Sequence, residues 1–491
     1  MNRNKNQVLL YLLGLFPVLG LASCMDDEDF SVSKSDLLTF STDTVKLDTT
    51  FSNVPTPTQT MWVYNRTGKS LRCSNIRLEG GNQEGFRVNV DGTYLGQTSG
   101  YQTHDVEIRK GDSIRVFVEL TSTMQQQDEP QLVQDNLVFT LESGVQQKLN
   151  LRAMSWDAIM LRDYEVKRGE EKILGEPSAA GYQKPIVVYG GITVDSLAML
   201  TIKEGTTLYF HENAGIQVYG QLKSMGTAEK PVVLRGDRID HMFDYLPYDR
   251  TPGQWQGIHF KDFSKDNELT YTDLHSAYDG VLVDSSDVGA QKLLIQNSTV
   301  HNCQGYGVKV DYAKVQIYNT QISNTLNHSL YVWGGDVDVN NCTIAQFYPF
   351  DARRGSAIGF MAPVNNLQVR NSLVTGYADD EVVWTPVDDK PLNFAFDHCV
   401  LRTEKMNTDD SLKFTNVIYE DVKDTTMYGE KHFVKIDTDN LIYDFRLSGK
   451  SAAIGAADPK TSLPIDRNGL KREEDKADAG CYLYREEKKE K

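Results

Sequence analysis

The sequence predicts an all-β protein in two parts: a sandwich of antiparallel strands, then a solenoid of short, stacked parallel strands. Two observations support this prediction. Over residues 36–158, runs of alternating apolar and polar residues recur at intervals of roughly ten residues and are separated by Gly, Asn and Asp, a pattern typical of antiparallel sheets. Beyond residue 185, a similar phrase returns every 22 to 30 residues. A period of that length indicates stacked units that cannot bury their apolar faces alone.

The first residues have the features of an export signal. Arg3 and Lys5 precede an apolar run over residues 8–22, which is short for a transmembrane helix, and a Leu-Ala-Ser-Cys motif ends at Cys24. This motif resembles the bacterial lipobox, which implies removal of residues 1–23 as a lipoprotein signal peptide and acylation of Cys24. Acyl chains would anchor the protein to a membrane, because each buried methylene contributes about 0.8 kcal/mol. An ordinary secretory signal is the alternative.

Acidic residues follow Cys24 directly, in the sequence Met-Asp-Asp-Glu-Asp over residues 25–29. We therefore predict an acidic tether over residues 24–35. Acids at this position resemble the surface-export signal of Bacteroidota-type lipoproteins. The resemblance implies a lipoprotein of the outer membrane that is exposed at the cell surface. A solvated charged linker is the alternative interpretation, and the periplasmic face is the alternative location.

Residues 36–158 form the predicted sandwich, with its clearest strands at Met61–Tyr64, Phe86–Val90 and Ile114–Val118. The region resembles the immunoglobulin-like modules that precede catalytic or binding domains in surface lipoproteins. The five cysteines after Cys24 are irregularly spaced, so we expect no disulfide framework and interpret them as small buried hydrophobic residues. The polar residues 159–184, which include Gly and Pro, are predicted to be a linker or a cap.

The repeated phrase defines the solenoid, which we place at residues 185–484. Each phrase has two alternating apolar residues, then an Asn-like residue and, in most copies, a small one. The apolar residues predict two inward ladders: Leu293, Val315, Val337, Leu367 and Phe394 in one, and Ile295, Ile317, Val339, Val369 and Phe396 in the other. The Asn-like position is aligned at Asp273, Asn297, Asn319, Asn341, Asn371 and His398. A short polar side chain can bond the backbone and its stacked neighbours at such a turn, so these residues are interpreted as architectural.

Several stretches of the solenoid resemble right-handed parallel β-helix proteins of the pectate-lyase-like kind. Residues 191–236 resemble the opening coils, and Trp255–Phe260 resembles the strand that follows them. The run that ends at Tyr482 resembles the C-terminal coil, although Leu483 replaces the acidic residue usual there. The resemblance implies an immunoglobulin-like sandwich followed by a right-handed parallel β-helix, with residues 485–491 as a charged tail.

Charge and residue spacing exclude several classes of function. The net charge of −17 argues against nucleic acid as a partner, since phosphates would repel the protein. The nine histidines have no spacing typical of a transition-metal site, so we expect neither a metal site nor a cofactor. Calcium is the one ion that acidic loops could hold, at Asp379-Asp380-Glu381 or at Asp388-Asp389.

Candidate site residues lie on the outward face of a second strand in each coil. Stacking places Asp284 and Asp311 on adjacent coils beside Lys309, and Tyr331 and Trp333 extend the same face. Carboxylates, a lysine and two aromatic rings suit a sugar, because rings stack on its apolar faces while charged groups bond its hydroxyls. A solvated edge with strand-favouring aromatic residues is the alternative. The candidate ligand-binding residues are Tyr331, Trp333 and, in a separate coil, Trp384.

Two functions follow. The first is a non-enzymatic surface lipoprotein that binds glycans or envelope partner proteins, favoured because no convincing catalytic constellation stands out. The second, implied by the resemblance, is a polysaccharide lyase or glycoside hydrolase. In that enzyme Lys309, Asp284 and Asp311 would be the catalytic residues, since lyases need a base and hydrolases need two carboxylates.

Overall fold

The computed structural model describes residues 29–177, 183–243, 245–405, 412–424 and 426–486. The predicted signal peptide, Cys24 and residues 25–28 of the acidic tether lie outside these residues. Helices within the described ranges are three 3₁₀ turns: Gln97–Ser99, Tyr248–Arg250 and Gly429–His432. No helix in these ranges is long and apolar enough to span a bilayer. The chain divides into two compact units, the first built mainly from residues before Ser155 and the second mainly from those after it.

The first unit consists of two sheets around a shared core. The five-stranded sheet has the order Thr39–Phe40, Gln59–Tyr64, Ser113–Leu120, Phe86–Val90, Thr93–Tyr94, with antiparallel neighbours. The other sheet contains Thr44–Lys46, Gln146–Trp156, Gln131–Leu141, Leu71–Leu78, Gln102–Thr103 and Val106–Ile108. Alternate residues of both sheets, such as Val63, Val116, Ile76 and Phe139, are fully buried in one cluster. This arrangement confirms the predicted sandwich.

The second unit is a solenoid in which the strands form three columns of parallel neighbours. Column 1 contains Glu171–Leu174, Met199–Lys203, Gln221–Met225, Asn267–Thr270, Gln291–Gln296, Lys314–Tyr318, Asp336–Asn340, Val364–Arg370, Leu392–Asp397 and Phe414–Thr415. Columns 2 and 3 share the long strands Ile159–Val166 and Ile186–Val194. The remaining column 2 strands are Thr207–Phe210, Val232–Gly236, Thr272–His275, Thr299–Cys303, Gln321–Thr325, Thr343–Gln346, Leu373–Gly376, Val400–Leu401 and Ile418–Tyr419. The remaining column 3 strands are Ile216–Val218, Ile258–Phe260, Val281–Val283, Val308–Asp311, Leu330–Trp333, Ile358–Met361 and Val382–Thr385.

Three further short elements lie outside these columns. His241–Phe243 and Leu246–Pro247 form a hairpin within the insertion between Gly236 and Trp255. Phe433–Asp437 and Ile442–Leu447 form a second antiparallel pair near the C-terminus. Thr50–Phe51 is a short strand that belongs to the second unit.

Both predicted inward ladders are confirmed residue by residue. Ile295 is paired with Ile317, and Ile317 with Val339, in consecutive strands of column 1. The other ladder runs in the same register through Leu367 to Phe394. All ten ladder residues belong to one continuous core cluster. Cys303, Cys342 and Cys399 are also buried in this core as free thiols, as expected from their irregular spacing.

The Asn-like residues occupy turns with left-handed backbone between columns 1 and 2. Asn297, Asn319, Asn341 and Asn371 have φ between 45° and 51°, a region in which asparagine is tolerated better than most residues. The alignment at Asp273 was wrong, because Tyr271 takes the turn (φ 45°) and Asp273 lies two residues further on, in column 2 opposite Thr299. The turn accepts a tyrosine there, which hid the true register of this coil.

The solenoid begins earlier than the sequence predicted. Ile159–Val166 pairs with Ile186–Val194 along its length, and Glu171–Leu174 pairs with Met199–Lys203. The segment expected to be a linker or cap therefore contributes the first coil. Only Val166 and Leu174 are buried in these two strands, and the apolar Ile159 and Ile173 are exposed, so the apolar alternation was too weak to recognise.

The C-terminal segment does not add the expected last coil but runs back along the asparagine turns. The backbone N–H of Asp458 donates to Oδ1 of Asn371 at 2.8 Å, and that of Leu463 donates to Oδ1 of Asn341 at 2.8 Å. One coil earlier, Nδ2 of Asn319 donates to the carbonyl oxygen of Ile465 at 2.8 Å. The turn asparagines thus form the turn of their own coil and also hold the C-terminal segment by hydrogen bonds.

The ladder can be tested with Ile317→Asp. An unpaired carboxylate between Ile295 and Val339 should lower the free energy of unfolding by about 3–5 kcal/mol. Urea unfolding followed by circular dichroism measures this loss. Gln316→Lys, which places a charge at the adjacent outward position, should leave stability nearly unchanged. Equal stability of the two variants would contradict the register.

The turn can be tested with two substitutions at Asn341. Asn341→Ala should cost about 2–3 kcal/mol, because it forces alanine into the left-handed region and removes the acceptor for Leu463. Asn341→Gly should cost about 1 kcal/mol, since it removes the side-chain hydrogen bonds to Leu463 and Ser462 without straining the backbone. Chemical denaturation of both variants separates the two contributions. If alanine is tolerated as well as glycine, backbone strain plays no role at this turn.

Candidate functional site

The outward face of column 3 gathers the residues that the sequence analysis selected. Register places Lys309 between Leu282 and Tyr331, and Asp311 opposite Trp333. Parallel strands put in-register side chains about 4.8 Å apart, so residues more than twenty positions apart become neighbours. The strand register therefore brings Lys309, Asp311, Tyr331 and Trp333 together on one face.

A groove of about 390 Å³ lies along this face. We call it the Trp333 groove, and its lining residues are Asp262, Asp284, Ser285, Asp311, Tyr312, Trp333 and Pro363. The Trp333 side chain is 46% exposed, so its ring is accessible to a ligand. Three carboxylates and two aromatic rings thus meet in one open groove.

Two of the three catalytic candidates pair with each other, and the third has a different partner. Lys309 donates from Nζ to Oδ2 of Asp311 at 2.7 Å. Asp284 is instead bonded to Nε2 of His259 at 2.7 Å and lies 3.9 Å from Nζ of Lys261. Lys309 therefore serves as a hydrogen-bond donor to one carboxylate of the face and is not hydrogen-bonded to the other.

A buried lysine behind this face was missed from the sequence. Lys292 has no exposed surface, and its Nζ donates to the carbonyl oxygens of Lys261 at 2.8 Å and Asp262 at 3.2 Å. Burial lowers its pKa to about 8, although Asp284 and Asp262 partly oppose this shift. A bulge in the strand between Gln291 and Leu293 turns this side chain inward. Lys292 thereby braces the backbone that presents Asp262 to the groove.

The other two aromatic candidates, Tyr331 and Trp384, pack against neighbouring rings of the protein. Tyr331 stacks on His328 with ring centroids 5.3 Å apart and lies 5.5 Å from Tyr306. Trp384 takes an inward position opposite Phe360 on the neighbouring strand. The centroid of its ring lies 5.4 Å from that of Phe394. The structure therefore brings Tyr331 beside the Trp333 groove but not into its lining, and it places Trp384 against the core.

The acidic loop proposed for calcium does not converge on one point. Glu381 is fully buried, and its carboxylate accepts backbone N–H groups of Ala357 at 2.7 Å and Ala378 at 2.8 Å. Burial raises its pKa to about 8 despite these donors. Asp380 accepts from the hydroxyl of Thr403. These acids are thus bound within the protein, and Glu381 supports the turn of its own coil.

A second cluster lies on the outward face of column 2. Oδ1 of Asp273 is 3.0 Å from Nδ1 of His275 and 3.2 Å from Nε2 of His301. On the other side, Nε2 of His275 is 2.7 Å from Oδ1 of Asp249, which also pairs with Nη1 of Arg235 at 2.9 Å. We call Asp249, Asp273, His275 and His301 the histidine cluster.

Carboxylates and imidazoles in the histidine cluster stabilise each other's charged forms. Burial alone would lower the pKa of His275, but the carboxylates of Asp273 and Asp249 outweigh it and raise the pKa to about 9. Burial opposes ionisation of Asp273 as well, yet His275 and His301 hold the pKa of this carboxyl well below its usual range. The cluster therefore forms a compact set of oppositely charged groups.

The histidine cluster was missed because its members come from different coils. His275 and His301 are 26 residues apart, a spacing that matches no motif of consecutive residues. The available signal was the Asp-Leu-His sequence at Asp273–His275, which places both polar side chains on one face of a strand. The misplaced turn at Asp273 concealed it.

Comparisons with known proteins give a family match and distant structural similarities. The family model described as "Right handed beta helix region" matches residues 236–382. A search of curated proteins found no match. Among solved structures, pectate lyase Pel9A is 12% identical with a TM-score of 0.33, covering 66% of this chain and 87% of that one.

Two other solved structures are similar at the same distant level. The catalytic unit of the GH87 α-1,3-glucanase from Streptomyces thermodiastaticus is 11% identical with a TM-score of 0.23, covering 73% and 88% of the two chains. The family 28 exopolygalacturonase from Yersinia enterocolitica is 9% identical with a TM-score of 0.23, covering 74% and 92%. No activity follows from similarities this distant. The three columns of parallel strands, together with the family match over residues 236–382, show that the second unit has the right-handed parallel β-helix fold.

Proposed function

We propose that the protein binds glycans in the Trp333 groove. The observation that carries this proposal is the exposed Trp333 ring beside the carboxylates of Asp284 and Asp311 in one open groove. Sugars present an apolar face that stacks on such a ring and hydroxyls that donate to carboxylates. The groove volume of about 390 Å³ is large enough for a small number of sugar rings.

The charge of the Trp333 groove favours a neutral glycan. Its described lining includes three carboxylates, Asp262, Asp284 and Asp311, and no basic side chain. A polyuronate would bring further carboxylates next to these and would be repelled, and the net charge of −17 adds to that repulsion. Neutral hydroxyl-rich chains meet no such penalty, so they are the expected ligands.

The alternative function, an enzyme, would use residues of the same outward face of column 3. A lyase or hydrolase would use Lys309, Asp284 and Asp311, but Nζ of Lys309 already donates to Asp311 at 2.7 Å. Unsaturated products or new reducing ends, lost in Lys309→Ala while binding persists, would support catalysis. Intact glycan after incubation supports the binding protein proposed here.

A lipid anchor at Cys24 would hold this β-helix at the outer membrane. The support for this part of the proposal is the Leu-Ala-Ser-Cys motif, followed by the acidic residues 25–29. Acylation supplies stable membrane attachment when more than one chain is added. The glycan groove would then be held at the cell envelope, with the outer surface as the proposed side.

Glycan binding is tested by Trp333→Ala after a screen of neutral and acidic polysaccharides. Loss of the ring should weaken binding of a neutral glycan by about 1–3 kcal/mol, in line with the burial of one large apolar side chain. Isothermal titration calorimetry or affinity electrophoresis measures the change. Thermal stability should stay close to wild type because the ring is half exposed.

Tyr94→Ala is the matched control for Trp333→Ala, since Tyr94 is an aromatic residue of the sandwich with a similar exposure of 50%. This control should bind as tightly as wild type. Unchanged affinity in Trp333→Ala would rule out the Trp333 groove as the binding site. Preferential binding of polyuronates would contradict the charge argument.

Membrane anchoring is tested by Cys24→Ala. The variant should move from the membrane fraction to the soluble fraction, because it has no residue for acylation. Metabolic labelling with a fatty acid analogue, together with fractionation, measures both properties. Met25→Ala at the adjacent position should remain attached. Membrane association of the Cys24→Ala chain would exclude lipidation at this residue.

A further inference from the structure

The histidine cluster has the ligand set of a transition-metal site. It offers two imidazole nitrogens and one carboxylate oxygen, and one atom from each of Asp273, His275 and His301 lies within 4.8 Å of the others. Imidazole nitrogen together with one carboxylate suits first-row divalent ions such as Zn²⁺, whereas Ca²⁺ and Mg²⁺ prefer oxygen alone. We propose that Asp273, His275 and His301 bind one divalent transition-metal ion.

The distances between the ligand atoms fit such an ion. Zinc bonds to nitrogen and oxygen are about 2.0–2.2 Å long, so two ligands of a tetrahedral ion lie roughly 3.3 Å apart. Oδ1 of Asp273 is 3.0 Å from Nδ1 of His275 and 3.2 Å from Nε2 of His301. These two distances are close to the separation that a tetrahedral ion requires, and all three ligand atoms lie within 4.8 Å of one another.

A second set of contacts orients the ligand ring, as is usual around protein metals. Nε2 of His275 donates to Oδ1 of Asp249 at 2.7 Å, and Arg235 holds the same oxygen at 2.9 Å. An imidazole that donates from one nitrogen to a carboxylate presents the other nitrogen to a metal, and ion binding would release the proton from Nδ1 of His275 to solvent. Asp249 is thus a positioning residue that directs Nδ1 of His275 toward Asp273 and His301.

The backbone around the cluster is rigid. Asp273 and His275 lie on one strand of column 2, and His301 is paired in register with His275 on the next coil. Nε1 of the fully buried Trp255 donates to the carbonyl oxygen of His275 at 2.8 Å. The His275 side chain is only 8% exposed. A site held this way loses little conformational freedom when an ion binds.

The site opens into a cavity of about 450 Å³. The C-terminal segment forms part of its wall through Tyr443, Arg467 and Tyr482. Three protein ligands leave at least one coordination position, and open sites of this kind bind water or an oxygen ligand there. The Trp333 groove lies on column 3, so metal binding and glycan binding are proposed for different faces.

Metal binding is tested with the purified protein after removal of any histidine tag and treatment with a chelator. Titration with Zn²⁺ by calorimetry should give one ion per chain, and Co²⁺ should produce a visible absorption band from nitrogen and oxygen ligands. His301→Ala and Asp273→Asn should weaken binding at least about 100-fold, because each removes one of three ligands. Asp249→Asn should weaken it about 10- to 100-fold, as expected for an orienting partner.

His211→Ala is the matched control, since His211 forms a single pair with Asp237 at 2.7 Å and belongs to no described group of three ligands. It should bind Zn²⁺ like wild type. If His301→Ala fails to fold by circular dichroism, His301→Gln keeps the size of the side chain and replaces it. Absence of stoichiometric binding in the wild type, or equal affinity in the folded His301 variant, would show that the cluster is only a hydrogen-bonded network of charged groups.

Discussion

In-register pairing between successive coils is the constraint on which the β-helix depends. A single coil is too short to bury its own apolar residues, so each must cover the next. Pairing of Ile295 with Ile317 and of Ile317 with Val339 fixes this register within column 1. A slip of one residue would turn every ladder residue outward. The apolar ladders and the outward rows are thus two consequences of one register.

The asparagine turns extend this constraint to the surface of the solenoid. Their left-handed backbone bends the chain from column 1 into column 2, and their side chains bond neighbouring coils, as Asn319 does to Asn297 at 3.1 Å. The C-terminal segment uses the remaining acceptors. Arg472, almost completely buried, donates to Oδ1 of Asn319 at 3.1 Å and to the carbonyl oxygen of Gly480 at 3.0 Å. Because these polar groups are buried, leaving any of them without a partner would be costly.

Parallel stacking also decides where chemistry can arise in this protein. Outward side chains of one column form rows, and residues from different coils become neighbours without any sequence motif. On column 3 this produces the Trp333 groove, whose carboxylates and exposed ring suit a neutral sugar. On column 2 it produces the histidine cluster, whose nitrogen and oxygen atoms suit a metal ion. The two faces differ in chemistry because the outward positions are not constrained by the core and can vary independently.

The repeat period and the alternation of apolar residues were sufficient to predict the sandwich, the parallel solenoid and both ladders. They were also sufficient to place Lys309, Asp311 and Trp333 on one face, since alternation in a strand determines which residues point outward. The first coil, the return of the C-terminal segment and the position of Asp273 were missed. Their local sequences lack the regular signal, and Tyr271 takes the turn that asparagine occupies elsewhere.

Only the tertiary structure decided which side chains bond to each other. Lys309 pairs with Asp311 and Asp284 with His259, although the sequence allows other pairs, because ring positions and side-chain torsions depend on all neighbouring coils. Trp384 faces inward because its strand continues the column of Phe360. His275 and His301 meet for the same reason, since their distance depends on the register of two coils. Sequence periodicity determines which side chains share an inward ladder or an outward row. The contacts that these side chains make with each other depend on the packed structure.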